Sequence, residues 1–146
     1  MFYGEYLHTL DKKGRLIIPA RFRDPIQDMG IERFYITRGL EECLFMFAEN
    51  DWRAKENKFR NMSFTREKVR KFTRMFFAGA VEATPDKQWR VLIPDYLREY
   101  AGLTHSIRII GVSDRIEIWS NNKWKEFYKS SKEDYESVAE SLMEDI

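Results

Sequence analysis

The sequence predicts an α+β, β-rich fold in which two tandem copies of one small unit interleave into a single pseudo-two-fold β-barrel with flanking helices. Three observations carry this prediction. A fourteen-residue pattern occurs twice, at 10–23 and 85–98. Behind each occurrence comes a pair of β-branched and aromatic runs, at 34–47 and 106–119, of the composition that suits strands. Behind each pair comes a stretch with apolar residues at helical spacing. Self-similarity of this kind, present only twice, fits a duplicated half-domain and not a solenoid, which needs more repeats to bury a continuous core.

The two copies stay in step residue by residue. Residues 10–23 read Leu-Asp-Lys-Lys-Gly-Arg-Leu-Ile-Ile-Pro-Ala-Arg-Phe-Arg, and 85–98 read Pro-Asp-Lys-Gln-Trp-Arg-Val-Leu-Ile-Pro-Asp-Tyr-Leu-Arg. Asp11, Lys12, Arg15, Ile18, Pro19 and Arg23 return as Asp86, Lys87, Arg90, Ile93, Pro94 and Arg98. Further on the register slips, and Trp52 falls opposite Trp124. The expected boundaries are 5–47 and 79–120 for the two units, 48–78 for connecting helices and 121–146 for a C-terminal helix. A unit with two short hairpins and one short helix buries too little surface to stand alone, so each copy needs the other.

Within each copy the elements follow in order. Tyr3–Leu10 and Ala80–Thr84 read as strands. Asp11-Lys12-Lys13-Gly14 supplies a turn, with Gly14 free to take positive φ. The second copy has Trp89 at that position, which predicts either a different turn or a tryptophan packed beneath a neighbour. Leu16–Ile18 and Val91–Ile93 return, and Pro19 and Pro94 end them while suiting the start of a helix. Those helices should stop near Pro25 and Gly30 in the first copy and near Gly102 in the second. Asn50 and Asn121 are expected N-caps for helices carrying Trp52 and Trp124. Residues 64–77 form an amphipathic helix with Val69, Phe72 and Phe76 on one face and Arg66, Arg70 and Arg74 on another. Near the end, Tyr135, Val138 and Leu142 again keep helical spacing.

Composition limits the function classes. The chain of 146 residues is 43% hydrophobic and 34% charged, a globular balance, and no apolar run approaches membrane-spanning length. The N-terminus lacks a basic start and apolar stretch, and Cys43 is the single cysteine, so a cytoplasmic location is expected. Net charge is +1, yet it is segregated: nine basic residues stand against two acidic ones between Arg53 and Arg74, and the last fifteen residues reverse the sign. Taken alone, that run reads as a solvated helix face beside an acidic tail. His8 and His105 have no second ligand at metal-binding spacing, and there is no phosphate-cradling glycine loop or nucleophile elbow. No enzyme activity, metal or cofactor is expected.

The stretch from Met1 to Arg23, with the second Asp-x-x-x-Arg, apolar strand and proline at 86–94, resembles the MraZ family over essentially the whole chain. The resemblance implies two AbrB-like swapped-hairpin units of the SpoVT-AbrB type. It also implies a transcription regulator that binds double-stranded DNA at repeated promoter elements of the division and cell-wall gene cluster. A ring-shaped homo-oligomer, nucleoid association and no membrane come with it. Carried onto this chain, the DNA-facing residues are Asp11, Lys12, Lys13, Arg15, Asp86, Lys87 and Arg90. An arginine fork suits guanine edges or phosphate, lysines at a turn tip suit phosphates, and the aspartate four residues before the arginine can hold the guanidinium rigid. The sequence leaves open whether Arg90, behind Trp89, reads DNA as Arg15 does. The competing readings are an oligomeric scaffold without specific DNA reading, and a toxin-neutralising AbrB-type protein, which usually carries one unit and a disordered tail.

Overall fold

The computed structural model of the chain describes residues 1–143. In order, the elements are β1 (Phe2–Thr9), β2 (Arg15–Ile17), α1 (Ala20–Asp28), β3 (Phe34–Arg38), β4 (Leu44–Ala48), α2 (Glu49–Arg60), α3 (Glu67–Ala78), β5 (Val81–Ala83), β6 (Arg90–Leu92), α4 (Asp95–Ala101), β7 (Ser106–Ser113), β8 (Ile116–Ser120) and α5 (Asn121–Met143). The fold is α+β and rich in antiparallel strands. Part of the C-terminal helix expected over 121–146 thus lies outside the described residues.

Strand pairing interleaves the two copies. One six-stranded antiparallel sheet runs β1-β7-β8-β4-β3-β5, so the first strand of each copy pairs with the second hairpin of the other. Exchange of the copies reverses this order and leaves it unchanged. The pairs Leu44–Ile118, Phe45–Glu117 and Met46–Ile116 map onto themselves under that exchange, which places the pseudo-dyad between Phe45 and Glu117. A separate two-stranded ribbon, β2 with β6, joins Arg15 to Leu92, Leu16 to Val91 and Ile17 to Arg90, and it is symmetric about Leu16 and Val91. The single barrel expected from the sequence is met only this far: among the described residues the ladders form an open sheet and a ribbon, and none joins β1 to β5.

The interleaving follows from where the apolar side chains lie. Ile36, Leu44, Met46, Ile107, Ile109, Ile116 and Ile118 line one face of the sheet. The ribbon turns Leu16 and Val91 inward onto them, and α1 and α4 add Phe22, Ile26, Leu97 and Ala101, all within one continuous core. Each helix alone offers two buried side chains, so neither copy could close this core unaided. The opposite face of the sheet carries aromatics instead. Phe47 and Tyr35 receive α2 and α3 through Trp52 and Phe76, while Trp119 receives α5 through Trp124. Among the described residues no helix is long and apolar enough to cross a membrane.

Three local expectations need correction. Helix α1 does not stop at Pro25 but runs through it to Asp28. The N–H that Pro25 lacks would have met the carbonyl of Arg21, whose residue is exposed, so water can take its place. The stop comes instead at Gly30, at φ 63°, as α4 stops at Gly102, at φ 62°. Asn50 does not cap α2. The strand runs directly into the helix at Ala48, and Glu49 and Asp51 in the first turn offset the helix dipole. Asn121 is the first residue of α5, and its Oδ1 accepts hydrogen bonds from Arg108 Nε and Nη2 at 3.2 and 3.0 Å. The amphipathic helix expected over 64–77 begins later, at Glu67, because Ser63 and Thr65 hold a turn ahead of it, with the Arg66 N–H on the Ser63 carbonyl at 3.2 Å.

Candidate nucleic-acid interface

Each repeated motif folds into a turn closed by its own aspartate. In the first copy Asp11 Oδ1 accepts from the backbone N–H groups of Lys13 and Arg15, both at 2.9 Å, and Oδ2 accepts from Arg15 Nε at 2.7 Å. In the second copy Asp86 Oδ1 accepts from Gln88 and Arg90 at 2.8 and 2.9 Å, and Oδ2 from Arg90 Nε at 2.7 Å. The Gly14 N–H donates to Asp11 O, and the Trp89 N–H to Asp86 O, each at 3.0 Å. Above all the backbone amide of the arginine, and then its guanidinium, hold the Asp11 and Asp86 carboxyls below the usual carboxylate range.

This spacing is what lets one carboxylate do both jobs. Four residues bring the arginine back over the aspartate only if the third intervening residue takes positive φ, and Gly14 does so at 82°. Trp89 does so too, at 62°, so the second turn is the same turn and the sequence expectation of a different one is not met. The remaining alternative is what occurs: Trp89 packs against the core, and the Arg23 guanidinium lies over its ring at 5.6 Å. Arg23 belongs to the first copy and Trp89 to the second. The exchange is mirrored by Arg98, whose guanidinium lies so close to Gly14 that a Cβ there would meet its Cζ at 2.6 Å. Glycine in the first turn therefore serves both backbone and packing.

The ribbon then sets where the turns point. Leu16 and Val91 face inward, so Arg15, Ile17, Arg90 and Leu92 face outward together. Arg15 stands across from Leu92 and Ile17 across from Arg90, giving two arginine forks flanked by two exposed aliphatic side chains. The two arginine side chains are equally exposed, at 28%. Nε is taken by the aspartate, and among the described residues the terminal amino groups of the two guanidinium groups have no hydrogen-bond partner. Lys12, Lys13 and Lys87 are exposed at the turn tips. All seven residues singled out by sequence are thus brought to one ribbon and its two turns. Sequence reasoning missed Ile17 and Leu92 as outward members of the surface, and Arg23 and Arg98 as braces for the opposite copy's turn. The signal for the braces was present in the repeat, where that pair recurs in step.

Among the described residues no group of three or more His, Cys, Asp or Glu side chains could hold a metal ion. Burial pushes the Cys43 thiol up, with Glu117 and Glu41 adding to it, and burial lowers His8.

Comparison with known proteins bears on identity. The solution structure of PHS018 from Pyrococcus horikoshii shares 18% identity, covering 81% of this chain and 88% of that one, but its TM-score of 0.32 is too low to bear on the fold. The family model described as "MraZ protein, putative antitoxin-like" matches twice, over residues 1–75 and 76–146, and so spans the chain. That family is regulator-like and not enzymatic. The paired match has the same period as the paired turns, and the chain belongs to the MraZ family.

Proposed function

We propose that the protein is a DNA-binding transcription regulator that reads double-stranded DNA with the β2–β6 ribbon. The observation that carries this reading is the pair of aspartate-held arginine forks on one outward ribbon face. A two-stranded ribbon fits the major groove, where an arginine pairs with guanine O6 and N7 through two N–H groups. Fixing Nε on the aspartate orients the remaining amino groups before binding, which lowers the ordering cost of the contact. Ile17 and Leu92 supply apolar surface suited to thymine methyl groups, and Lys12, Lys13 and Lys87 suit the flanking phosphates. The pseudo-two-fold symmetry of the ribbon suits an inverted or pseudo-symmetric step in the DNA.

In keeping with the family resemblance, the target is repeated promoter elements of the division and cell-wall gene cluster. Several chains in a ring would engage successive repeats, and linked contacts multiply affinity. A mobility-shift assay on the DNA upstream of the protein's own gene tests the reading. Specific retardation that weakens steeply as salt rises is expected, because several phosphates are engaged at once. Equal retardation of any duplex, or none, sinks it and favours the scaffold reading.

A further inference from the structure

The two helices that follow the second hairpins are equivalent by the repeat but differ in cover. Helix α2 presents Trp52, which is 3% exposed because α3 folds back and stacks Phe76 on it at 5.5 Å. Helix α5 presents Trp124, Phe127 and Tyr128, and among the described residues no helix lies over them. Beside this face runs a groove of about 400 Å³ lined by Trp124, Phe127, Tyr128, Ser131 and Tyr135, with Glu5 of β1 and Lys132 as its charged members. Beyond the sheet the helix continues with Tyr135, Val138 and Leu142 exposed, and Trp124, Tyr128, Ser131, Tyr135, Val138 and Leu142 follow alternating steps of four and three. That spacing is the seam of a helix made to pack against another helix.

We propose that this face of α5 is a docking site for the α2–α3 corner of a second copy of the chain, with Phe64 as the plug. The inference rests on the oligomeric part of the proposed function and names its surfaces. Phe64 and Tyr135 are the two most exposed large apolar side chains among the described residues, at 78% and 74%. Phe64 is flanked by Arg60, Arg66 and Lys68 against the single acid Glu67. Helix α5, which carries Lys123, Lys125, Lys129 and Lys132 in its inner half, has only the acids Glu133, Asp134, Glu136 and Glu140 as charged residues from there to Met143. Opposite charges around matched apolar surfaces favour this pairing, and the same acidic groups disfavour α5 against another α5. Within one chain the two do not meet: Phe64 and Tyr135 both stand exposed, and α2 and α5 leave the antiparallel β4 and β8 at opposite ends. The contact joins two different patches of neighbouring copies; repeated head-to-tail it closes a ring when the rotation allows, whereas a reciprocal two-fold pair would stop the linked ladder at the dimer.

Disulfide trapping without DNA tests it. A chain carrying both Phe64→Cys and Tyr135→Cys should give a ladder of linked multimers under mild oxidation. The two single variants should link only when mixed, to one dimer. Phe64→Glu should reduce the assembly to a monomer with an unchanged circular dichroism spectrum, while Arg15→Ala should stay assembled. Self-linkage of the Tyr135→Cys chain, or a folded Phe64→Glu protein that keeps its size, overturns the docking site and leaves the oligomer reading standing. A wild-type monomer by light scattering overturns both. Loss of DNA binding by an intact oligomer touches only the DNA reading.

Discussion

Where the first copy has Gly14 the second has Trp89, yet the two turns close on the same hydrogen bonds and hold the same arginine fork. The helices behind the second hairpins show the reverse: Trp52 and Trp124 are matched residues in unmatched settings, one roofed by α3 and the other left at a groove. Duplication has thus kept the geometry of the turn while letting the packing around it diverge. The turn tolerates tryptophan because Arg23 of the other copy stacks on the ring and offsets the positive φ. Among the described residues no helix covers α5 in the way α3 covers α2, and its aromatic face is the docking site proposed above.

The tryptophan pair gives the largest expected contrast. Trp52→Ala removes a buried ring stacked on Tyr35 and Phe76 and should cost about 3–5 kcal/mol of stability. Trp124→Ala, measured in the Phe64→Glu background, should cost less than about 2 kcal/mol, since its ring is only partly buried against Trp119. Chemical denaturation of both variants checks this, and equal losses would mean that α5 is as well covered as α2.

The arginine pair should behave in the opposite way. Arg15→Ala and Arg90→Ala should weaken specific DNA binding by similar amounts, about 1–3 kcal/mol for each contact, with unfolding curves unchanged. The sequence, with Trp89 in the second turn, leaves open a smaller effect at Arg90, whereas the equal fork geometry removes the reason for one. Titration of both variants on the same duplex decides between them.

Smaller effects test the turns themselves. Gly14→Ala should lower stability by about 1–3 kcal/mol, because a side chain at positive φ is strained and its Cβ would meet Arg98. Trp89→Gly should lower it less, since relief of strain offsets lost stacking. Thermal unfolding of the two reads the difference, and a harmless Gly14→Ala would show that the turn can be rebuilt. Smallest is the response to acid. Both aspartate pKa values are lowered in the fold, so their contribution is full above the unfolded carboxylate value of about 3.9 and fades as pH falls through the lower folded value. Carboxyl carbon shifts of Asp11 and Asp86 should titrate alike and below that ordinary value. An Asp86 that titrates as a free side chain would separate the copies after all.

The duplicated turn, its two aspartate–arginine pairs and the strand–helix order were legible in the sequence. Each depends on residues within five positions of one another, where hydrogen-bond reach and φ preference decide the outcome. Asp11 and Arg15 need only the chain between them to meet. The sequence alone also carried the apolar stripes of α3 and α5. It did not carry what lies opposite them. That Ile17 and Leu92 share a face with Arg15 and Arg90 depends on β2 pairing with β6 across seventy-five positions, in a register set by the shared core. That Trp89 is held by Arg23, and Gly14 covered by Arg98, depends on each helix packing beneath the other copy's turn. That Trp52 is roofed and Trp124 is not depends on the chain reversing at Ser63 to Arg66 after α2, while α5 runs straight on. Local rules reach about as far as a turn or a helix face, and the partners beyond that distance are chosen by burial of the whole core at once.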